Sequence, residues 1–312
     1  MSKITVIGAG NVGATAAQRV VEKNLADTVL VDIVPGIPQG KALDIYQSAP
    51  IEGFDKKIIG TNDFSQIDGS DIVIITAGIP RKPGMSREDL LKTNAEVIIS
   101  VVNHIKKYAP DSIIITVTNP LDIMTQLAQK VSGFPHNRVL GMAGILDSAR
   151  FRAFIAMETK APVSDIEAMV LGGHGDAMVP LPEYTTVKGK PISEVLPKDI
   201  VEKLIQRTRD GGAEIVAFLK TGSAFYAPSS GAVQMAESIL LDQNKILPCS
   251  VYLQGQYGLN NVYIGVPAKL GKTGVKEIIE LKINQEQSDA LKYSADIVKE
   301  NYTTALRLTS LS

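Results

Sequence analysis

A glycine-rich turn near the start of the chain restricts the fold more than any other feature. The segment Gly8-Ala-Gly-Asn-Val-Gly13 follows a β-branched run, Ile4–Gly8, and opens a helical stretch, Val12–Lys23. In a G-x-G-x-x-G turn the first glycine permits a tight turn, the second lets the backbone approach a pyrophosphate, and the third allows the helix to pack closely on the strand. This succession predicts the first unit of a doubly wound parallel sheet.

The rest of the first half repeats the alternation of strands and helices. Two of its apolar runs, Ile72–Ile75 and Ile113–Val117, are continuous rather than alternating, which is typical of strands covered on both faces. A long helical stretch, Arg87–Tyr108, lies between them. The pattern therefore predicts an α/β fold with a Rossmann doubly wound parallel sheet. The predicted strands are Ile4–Gly8, Val29–Ile33, Lys57–Thr61, Asp71–Ala77 and Ser112–Thr118.

The second half has a mixed pattern, which predicts an α+β domain. We expect a helix from about Leu146 to Thr159, a strand at Ile166–Leu171 and a long helix at Lys198–Lys220, kinked at the glycine pair 211–212. Three strands near 246–254, 261–267 and 275–283 follow a further helix. The domain boundary is expected near residue 144. It separates a dinucleotide-binding domain (1–143) from a catalytic, substrate-binding domain (144–312).

Charge and cysteine content narrow the classes of function. Lys and Arg total 32 against 33 for Asp and Glu, so no basic surface points to nucleic acid, and no apolar run is long enough to span a membrane. The one cysteine, Cys249, lies in an apolar strand-like run and cannot form an intrachain disulfide. Because the chain opens directly into a predicted strand, we expect no targeting segment. We therefore expect a cytoplasmic protein without membrane or nucleic-acid partners, and no bound metal.

Asp32 indicates which dinucleotide the turn would hold. It ends the predicted strand that follows the glycine-rich segment, where an acid can hydrogen-bond the ribose hydroxyls. Its charge would also repel the 2′-phosphate of NADP. The sequence therefore predicts NAD as the cofactor. The alternative interpretation is an ordinary glycine turn followed by a surface aspartate.

One of the three histidines has surroundings that favour chemistry. His174 stands in Gly172-Gly-His-Gly-Asp176 at the end of a predicted strand, where the glycines leave it accessible. Histidine is the side chain best suited to exchange a proton near neutrality. His104 and His136 are interpreted as ordinary helix and loop residues.

Two further clusters admit both a functional and an ordinary interpretation. Asp147 and Arg150 are three residues apart on one helical face and could be a surface ion pair of little energetic value. The loop between Ile79 and Asp89 carries three cations and could equally be a solvated basic loop. Its cations are Arg81, Lys82 and Arg87. Loops after the strands of a parallel sheet are, however, where ligands bind.

Taken together, these motifs resemble the lactate/malate dehydrogenase family along essentially the whole chain. No departure from the family pattern is found at the positions named here. The matching segments are Gly8–Gly13, Ile79–Arg87, Val117–Asp122, Asp147–Arg150, Gly172–Asp176 and Ser229–Glu237.

The resemblance implies roles for the matching residues. His174 is implied to exchange the proton, with Asp147 holding its imidazole and stabilising the cation. Arg150 is implied to bind the first carboxylate of the substrate. Arg87 would polarise the reacting carbonyl from a mobile loop, and Asn119 would touch substrate and cofactor. The implied cofactor contacts are Gly8, Gly10, Asn11, Val12, Gly13, Asp32, Asn94, Val117 and Asn119.

The resemblance also bears on substrate and assembly. Lactate-type members carry glutamine at the position of Arg81, and malate-type members carry arginine, which can pair with a second carboxylate. Arg81 therefore implies malate and oxaloacetate as the substrate pair. The rival functions are a dehydrogenase of lactate or another 2-hydroxy acid, and a dinucleotide-binding module without catalysis. Family members self-associate, which implies a homodimer or a homotetramer.

Overall fold

The computed structural model describes residues 2–80 and 84–311. Arg81 and Lys82 therefore lie outside the described residues. The first half forms, in chain order, β1 (Lys3–Ile7), α1 (Asn11–Glu22), β2 (Asp27–Val31), α2 (Ile37–Gln47), α3 (Ala49–Glu52), β3 (Ile58–Thr61), β4 (Ile72–Ile75), α4 (Arg87–Tyr108), β5 (Ile113–Thr116), α5 (Leu121–Ser132) and β6 (Val139–Gly141).

These six strands pair in parallel in the order β3-β2-β1-β4-β5-β6. This is the strand order of the Rossmann fold, so the predicted fold class is confirmed. In β4, no residue of Ile72–Ile75 is more than 1% exposed, and successive side chains point to opposite faces. The sheet is therefore covered on both faces here, as the continuous apolar run predicts. The strand order reverses between β1 and β4, which leaves a crevice at their carboxyl ends.

The second half begins with a helix directly after β6. No helix in the described parts of the chain is long and apolar enough to cross a membrane. The elements are α6 (Gly144–Thr159), β7 (Ile166–Glu167), β8 (Val170–Leu171), β9 (Val179–Pro180), β10 (Thr186–Val187), β11 (Lys190–Pro191), α7 (Ile192–Val195), α8 (Lys198–Leu219), α9 (Tyr226–Leu240), β12 (Lys245–Gln254), β13 (Asn260–Gly271), β14 (Gly274–Ile278) and α10 (Gln285–Leu308).

The last three strands continue the first sheet. β12 pairs antiparallel with β6, where Ser250 lies opposite Gly141, and β13 and β14 extend the sheet outward. Gly141 makes this approach feasible, because a Cβ there would lie 3.0 Å from the Ser250 Cβ and 2.5 Å from Thr125 Oγ1. The two halves of the chain are thus joined through one sheet.

One local prediction is wrong in detail. The strand predicted at Ile166–Leu171 is two short strands, because β7 pairs with β10 and β8 pairs with β9 in different sheets. The glycine pair 211–212 lies inside α8, which continues to Leu219, and the kink expected there stays a prediction. Helix propensity at a single glycine is a weak term that tertiary contacts override.

Cys249 lies in β12 and is fully buried. Burial raises the pKa of its thiol to about 12. The thiol therefore stays protonated near neutrality and acts as a small apolar side chain, as its sequence context predicts.

Candidate active site

The glycine-rich turn lies at the carboxyl end of β1, beside the loop that follows β4. Gly8 has a φ of 105°, and a Cβ there would lie 2.6 Å from the backbone nitrogen of Ala77. A Cβ on Gly13 would lie 1.8 Å from the Gly8 carbonyl oxygen. Around Gly10, by contrast, a Cβ would meet no heavy atom of the described residues within 4 Å, its chain neighbours aside. The first and third glycines are thus required by packing, whereas the second leaves its backbone open to a ligand.

Asp32 follows β2 and holds the glycine-rich turn with its carboxylate. Its Oδ2 accepts a hydrogen bond from the Ala9 N–H (2.6 Å), and its Oδ1 accepts one from the Val34 N–H (3.0 Å). Lys41 Nζ donates to the Ala9 carbonyl oxygen (2.7 Å), so that Ala9 is held from both sides. Each carboxylate oxygen keeps a further lone pair that can accept a ribose hydroxyl.

His174 and Asp147 form a hydrogen-bonded pair beside the crevice. His174 Nδ1 lies 3.0 Å from Oδ2 of Asp147, which is in the first turn of α6 and 1% exposed. Because an ionised carboxylate only accepts hydrogen bonds, Nδ1 carries a proton, and Nε2 is the atom that can gain or lose one.

The charges around His174 favour its protonated form. Burial of the ring lowers the pKa of His174, but the charge and the hydrogen bond of Asp147 outweigh it, and the pKa is raised above its ordinary value. Arg150 opposes this rise and Asp122 adds to it. The imidazolium therefore persists to a higher pH than it would on an exposed histidine.

Arg150 lies one turn after Asp147, with Nη1 3.6 Å from Asp147 Oδ1. Among the described residues, neither the Arg150 Nε nor Asp147 Oδ1 has a hydrogen-bond partner. Burial lowers the pKa of Arg150, and the Asp147 carboxylate opposes that shift. Gly211 leaves room for this side chain, since a Cβ there would lie 3.2 Å from Arg150 Cδ. A largely buried guanidinium with an unpaired N–H is suited to bind a carboxylate.

Residues of both halves line one cleft of about 380 Å³. Val12, Val117 and Asn119 line it from the first half, and Arg150 and His174 line it from the second. The side chain that can exchange a proton therefore shares a space with the end of the glycine-rich turn. Within residues 2–80 and 84–311, no cluster of three or more His, Cys, Asp or Glu side chains could hold a metal ion.

Of the predicted site residues that the structure describes, those that line the cleft are Val12, Val117, Asn119, Arg150 and His174. Arg87 and Asn94 are among those that do not. Arg87 is exposed and is the first residue of α4, not part of the loop. Asn94 is 1% exposed: its side chain donates to the carbonyls of Ile79 (3.1 Å) and Asn119 (2.7 Å) and accepts from the Ile79 N–H (2.8 Å). Asn94 thus ties the loop after β4 to the segment after β5, and its contact with the cofactor stays a prediction.

The buried Asp122 has no predicted role, although it ends one of the matching segments. In the structure its carboxylate accepts a hydrogen bond from the backbone N–H of His174 (2.9 Å) and one from the hydroxyl of Ser250 (2.6 Å). A signal was present: Asp122 is an acid within a motif in which Asn119 already had a role.

A Rossmann sheet with a glycine-rich turn at its crevice, and a histidine that is paired with an aspartate and lines the neighbouring cleft, define the class of dinucleotide-dependent dehydrogenases. Residues 2–141 match the NAD binding domain of lactate/malate dehydrogenase. Residues 145–309 match the alpha/beta C-terminal domain of the same enzymes. The chain therefore belongs to the lactate/malate dehydrogenase family.

Individual relatives are similar over nearly their whole length. The malate dehydrogenase of Chloroherpeton thalassium is 58% identical over 96% of this chain and 97% of its own. The apo malate dehydrogenase structure from Picrophilus torridus superposes with a TM-score of 0.96 at 46% identity, covering 99% of this chain and 98% of its own. The lactate dehydrogenase of Cryptosporidium parvum, complexed with lactic acid and NAD, reaches 0.94 at 45% identity, covering 97% and 98%. Backbone similarity alone therefore does not separate the two substrates.

Proposed function

We propose that this chain catalyses reversible hydride transfer between malate and oxaloacetate with NAD(H) as its cofactor. The observation that carries the proposal is the shared cleft, in which His174 and Arg150 face Asn119 of the cofactor-binding half. The name of the bacterial relative at 58% identity supports the same reaction. Arg81, which lies outside the described residues, supports malate over lactate by its position in the sequence.

An NADH oxidation assay with oxaloacetate, pyruvate and 2-oxoisocaproate side by side tests the proposal. We expect rapid turnover of oxaloacetate and poor turnover of the two monoacids. Preference for either monoacid would instead assign a lactate or branched 2-hydroxyacid dehydrogenase. NADH binding without turnover of any of the three would point to a binding module.

The residues of the cleft suit the chemistry of a 2-oxo acid. When bound, the nicotinamide supplies the hydride, and negative charge develops on the reacting carbonyl oxygen. His174 donates a proton to that oxygen from Nε2, while Asp147 stabilises the imidazolium beforehand. Arg150 holds the adjacent carboxylate in a bidentate pair. Arg87 adds a second positive charge at the carbonyl if the start of α4 approaches the cleft, which would also exclude water.

The role of Asp147 predicts a pH-dependent effect. Its charge raises the pKa of His174, so kcat/KM for oxaloacetate reduction is highest below that pKa and falls as the pH rises through it; malate oxidation follows the opposite course. In Asp147→Asn the pKa of His174 should be lower, and both profiles should shift to lower pH. Because less imidazolium remains, reduction at pH 8 should fall by at least about tenfold.

Steady-state pH–rate profiles measure this shift. Glu158→Gln is the matched control, because it removes the same charge from an exposed position of the same helix. Identical profiles for Asp147→Asn and wild type would show that Asp147 does not set the protonation of His174.

The structure fits NAD at the glycine-rich turn. The open space around Gly10 admits a pyrophosphate, and the first turn of α1 offers backbone N–H groups to it. Asp32 stands beside Ala9 in the same turn. Asp32 would then hold the adenosine ribose, Gly10 and Asn11 the pyrophosphate, and Val117 and Asn119 the nicotinamide.

Asp32 should give a strong preference for NADH over NADPH. Like charges brought together at an interface cost several kcal/mol. In Asp32→Asn the ratio of kcat/KM with NADH to kcat/KM with NADPH should therefore fall by at least about tenfold. A tenfold change corresponds to a free-energy difference of only about 1.4 kcal/mol. Asp27→Asn is the control, because Asp27 carries the same charge at the opposite end of β2. Equal use of both cofactors by the wild type would contradict the role of Asp32.

We also propose that the protein assembles with further copies of itself, as a homodimer or a homotetramer. Exposed apolar side chains support this proposal, because such groups on a folded chain often mark an interface. Leu43, Tyr46 and Ile51 are each at least half exposed on α2 and α3, as are Phe218 and Tyr226 at α8 and α9. Light scattering coupled to gel filtration measures the number of subunits.

The proposed boundary between the two functional domains stays at residues 143 and 144. It is supported by the start of α6 at Gly144, directly after the last parallel strand. A cytoplasmic location is proposed on the unpaired, buried thiol of Cys249, since reducing compartments keep cysteines in that state.

A further inference from the structure

Asp122 is a buried acid behind the His174 loop that the mechanism above does not use. It is the second residue of α5 and is 2% exposed. Asn119, which lines the cleft, lies three residues before it in the chain. One short segment therefore carries a residue of the cleft and a carboxylate that bonds the His174 backbone.

Both oxygens of the Asp122 carboxylate are engaged. Oδ2 accepts from the backbone N–H of His174 at 2.9 Å, and Oδ1 accepts from the hydroxyl of Ser250 at 2.6 Å. Ser250 is fully buried in β12. Burial raises the pKa of Asp122, while the bonds from Ser250 and His174 favour its ionised form. A carboxylate suits this place because both partners donate to it.

The rest of the His174 loop is held by other elements. Gly172 exchanges two backbone hydrogen bonds with Gly265 of β13 (2.8 and 3.2 Å), and the Gly173 N–H donates to Ser294 Oγ of α10 (2.8 Å). Three successive N–H groups thus have three different anchors. Of these, only the Asp122 anchor comes from the first half of the chain.

We propose that Asp122 is a positioning residue for the proposed reaction, on which this inference rests. By bonding the His174 main chain, it ties the proton carrier to the segment that presents Asn119. This contact fixes the spacing across the cleft between the two halves. A displacement of about 1 Å between reacting groups can cost about 10²-fold in rate, so such a tie has a measurable effect on kcat.

The Asp122 charge also acts on His174 through space. Asp147 and Arg150 of α6 are the other charged groups that shift the pKa of His174. Asp176, Arg209 and Asp210 line the same cleft. Asp122 adds to the effect of Asp147, so its removal should move the pH profile of reduction to lower pH.

Two substitutions separate position from charge. In Asp122→Asn the amide oxygen can accept from the His174 N–H, and the amide nitrogen can donate to Ser250 Oγ, which can also accept. We expect kcat within about tenfold of wild type and a pH profile shifted to lower pH. In Asp122→Ala the tie is lost, and kcat should fall by about 10²-fold. The Kd for NADH, measured by fluorescence titration, should change by no more than about twofold in both variants.

Ser250→Ala tests the second partner of the carboxylate. The substitution keeps Asp122 and His174 but removes the hydrogen bond from Ser250 to Asp122 Oδ1. We therefore expect a loss of kcat between those of Asp122→Asn and Asp122→Ala. Ser238→Ala is the matched control: Ser238 is also fully buried, and its hydroxyl bonds Leu270 and Lys245 rather than the His174 segment. It should lower thermal stability while leaving kcat and the pH profile unchanged.

The outcomes separate this inference from the proposed function. Wild-type enzyme that does not reduce oxaloacetate contradicts the proposed function itself. With an active wild type, rescue of kcat by asparagine but not alanine, together with the shifted pH profile, supports the positioning role. If Asp122→Ala does not fold, the Asp122→Asn profile and the Ser250→Ala kcat decide. Unchanged pH profiles, or losses of kcat that parallel losses of NADH binding, would show that Asp122 only stabilises the fold.

Discussion

Replacing His174 with asparagine should lower kcat for oxaloacetate reduction by at least about 10²-fold, the lower end for loss of a general acid. Asparagine cannot carry a proton near neutrality, but its amide can donate to Asp147 in place of Nδ1–H. The substitution therefore keeps the buried carboxylate of Asp147 hydrogen-bonded and avoids the penalty of an unpaired buried charge. Single-turnover and steady-state NADH oxidation measure the loss.

The binding of NADH should survive this substitution, because the glycine-rich turn and Asp32 are untouched. His104→Asn is the control: His104 lies on α4 with its ring stacked on Phe64, 4.0 Å between centroids, and does not line the cleft. Near wild-type turnover by the His174 variant would show that this histidine is structural. Equal losses in both variants would point to a general effect of removing a packed ring.

The parts of the fold predicted from sequence are those that depend on local patterns. The continuous apolar run of β4 results from burial on both faces, and the spacing of Gly8 and Gly13 results from the close contact of Gly13 with the Gly8 carbonyl oxygen. Each of these requirements acts on neighbouring residues. The periodicity of apolar residues, or a fixed spacing of glycines, therefore indicates these requirements before any long-range contact is known.

The parts that were missed depend on contacts between distant residues. The continuation of the first sheet into β12 depends on the single pair Ser250 and Gly141, and neither residue has a distinctive local context. Gly211 was interpreted as a kink, although its lack of a side chain makes room for Arg150 from another helix.

The site shows the same division between local and distant information. The pairing of His174 with Asp147 was implied by family resemblance, since 27 residues separate them in the chain. The motif marks Asp122 as a residue of interest, but its partners could not be predicted, because they are a backbone N–H and a serine hydroxyl that lie far from it in the chain. The resemblance implies that Asn94 contacts the cofactor, but it does not imply that Asn94 hydrogen-bonds two loops. Its partners there are backbone groups, which every residue has, so the sequence does not identify them.

Arg81→Gln should remove most of the discrimination between oxaloacetate and pyruvate. Both substrates share the 2-oxo acid end that Arg150 and Arg87 would engage, and they differ in the second carboxylate of oxaloacetate. Sites built around polar pairing discriminate by about 10⁴-fold, so we expect a wild-type preference of that order in kcat/KM. The variant should gain pyruvate reduction and lose oxaloacetate reduction, with NADH affinity nearly unchanged.

The discrimination should act in both directions because a charge without a partner is costly in a site that excludes water. The second carboxylate of oxaloacetate needs a cation once it leaves solvent, and Arg81 can supply a bidentate one. With pyruvate, the guanidinium would face a methyl group and its own desolvation would be uncompensated. The attraction of Arg81 to the diacid raises kcat/KM for oxaloacetate, and the unpaired charge of Arg81 beside the monoacid lowers kcat/KM for pyruvate. Both effects therefore increase the ratio of the two values.

Lys82→Gln is the matched control, because it removes the same charge from the adjacent residue of the same loop. If general attraction of a dianion by a basic loop sets the preference, the two variants should lose similar amounts of oxaloacetate activity, and neither should gain activity with pyruvate. If Arg81 pairs specifically with the second carboxylate, only Arg81→Gln should change the ratio of kcat/KM values. A ratio within a few-fold of wild type in Arg81→Gln would overturn the choice of malate and oxaloacetate on this residue, because a solvated loop arginine has no reason to distinguish the two acids.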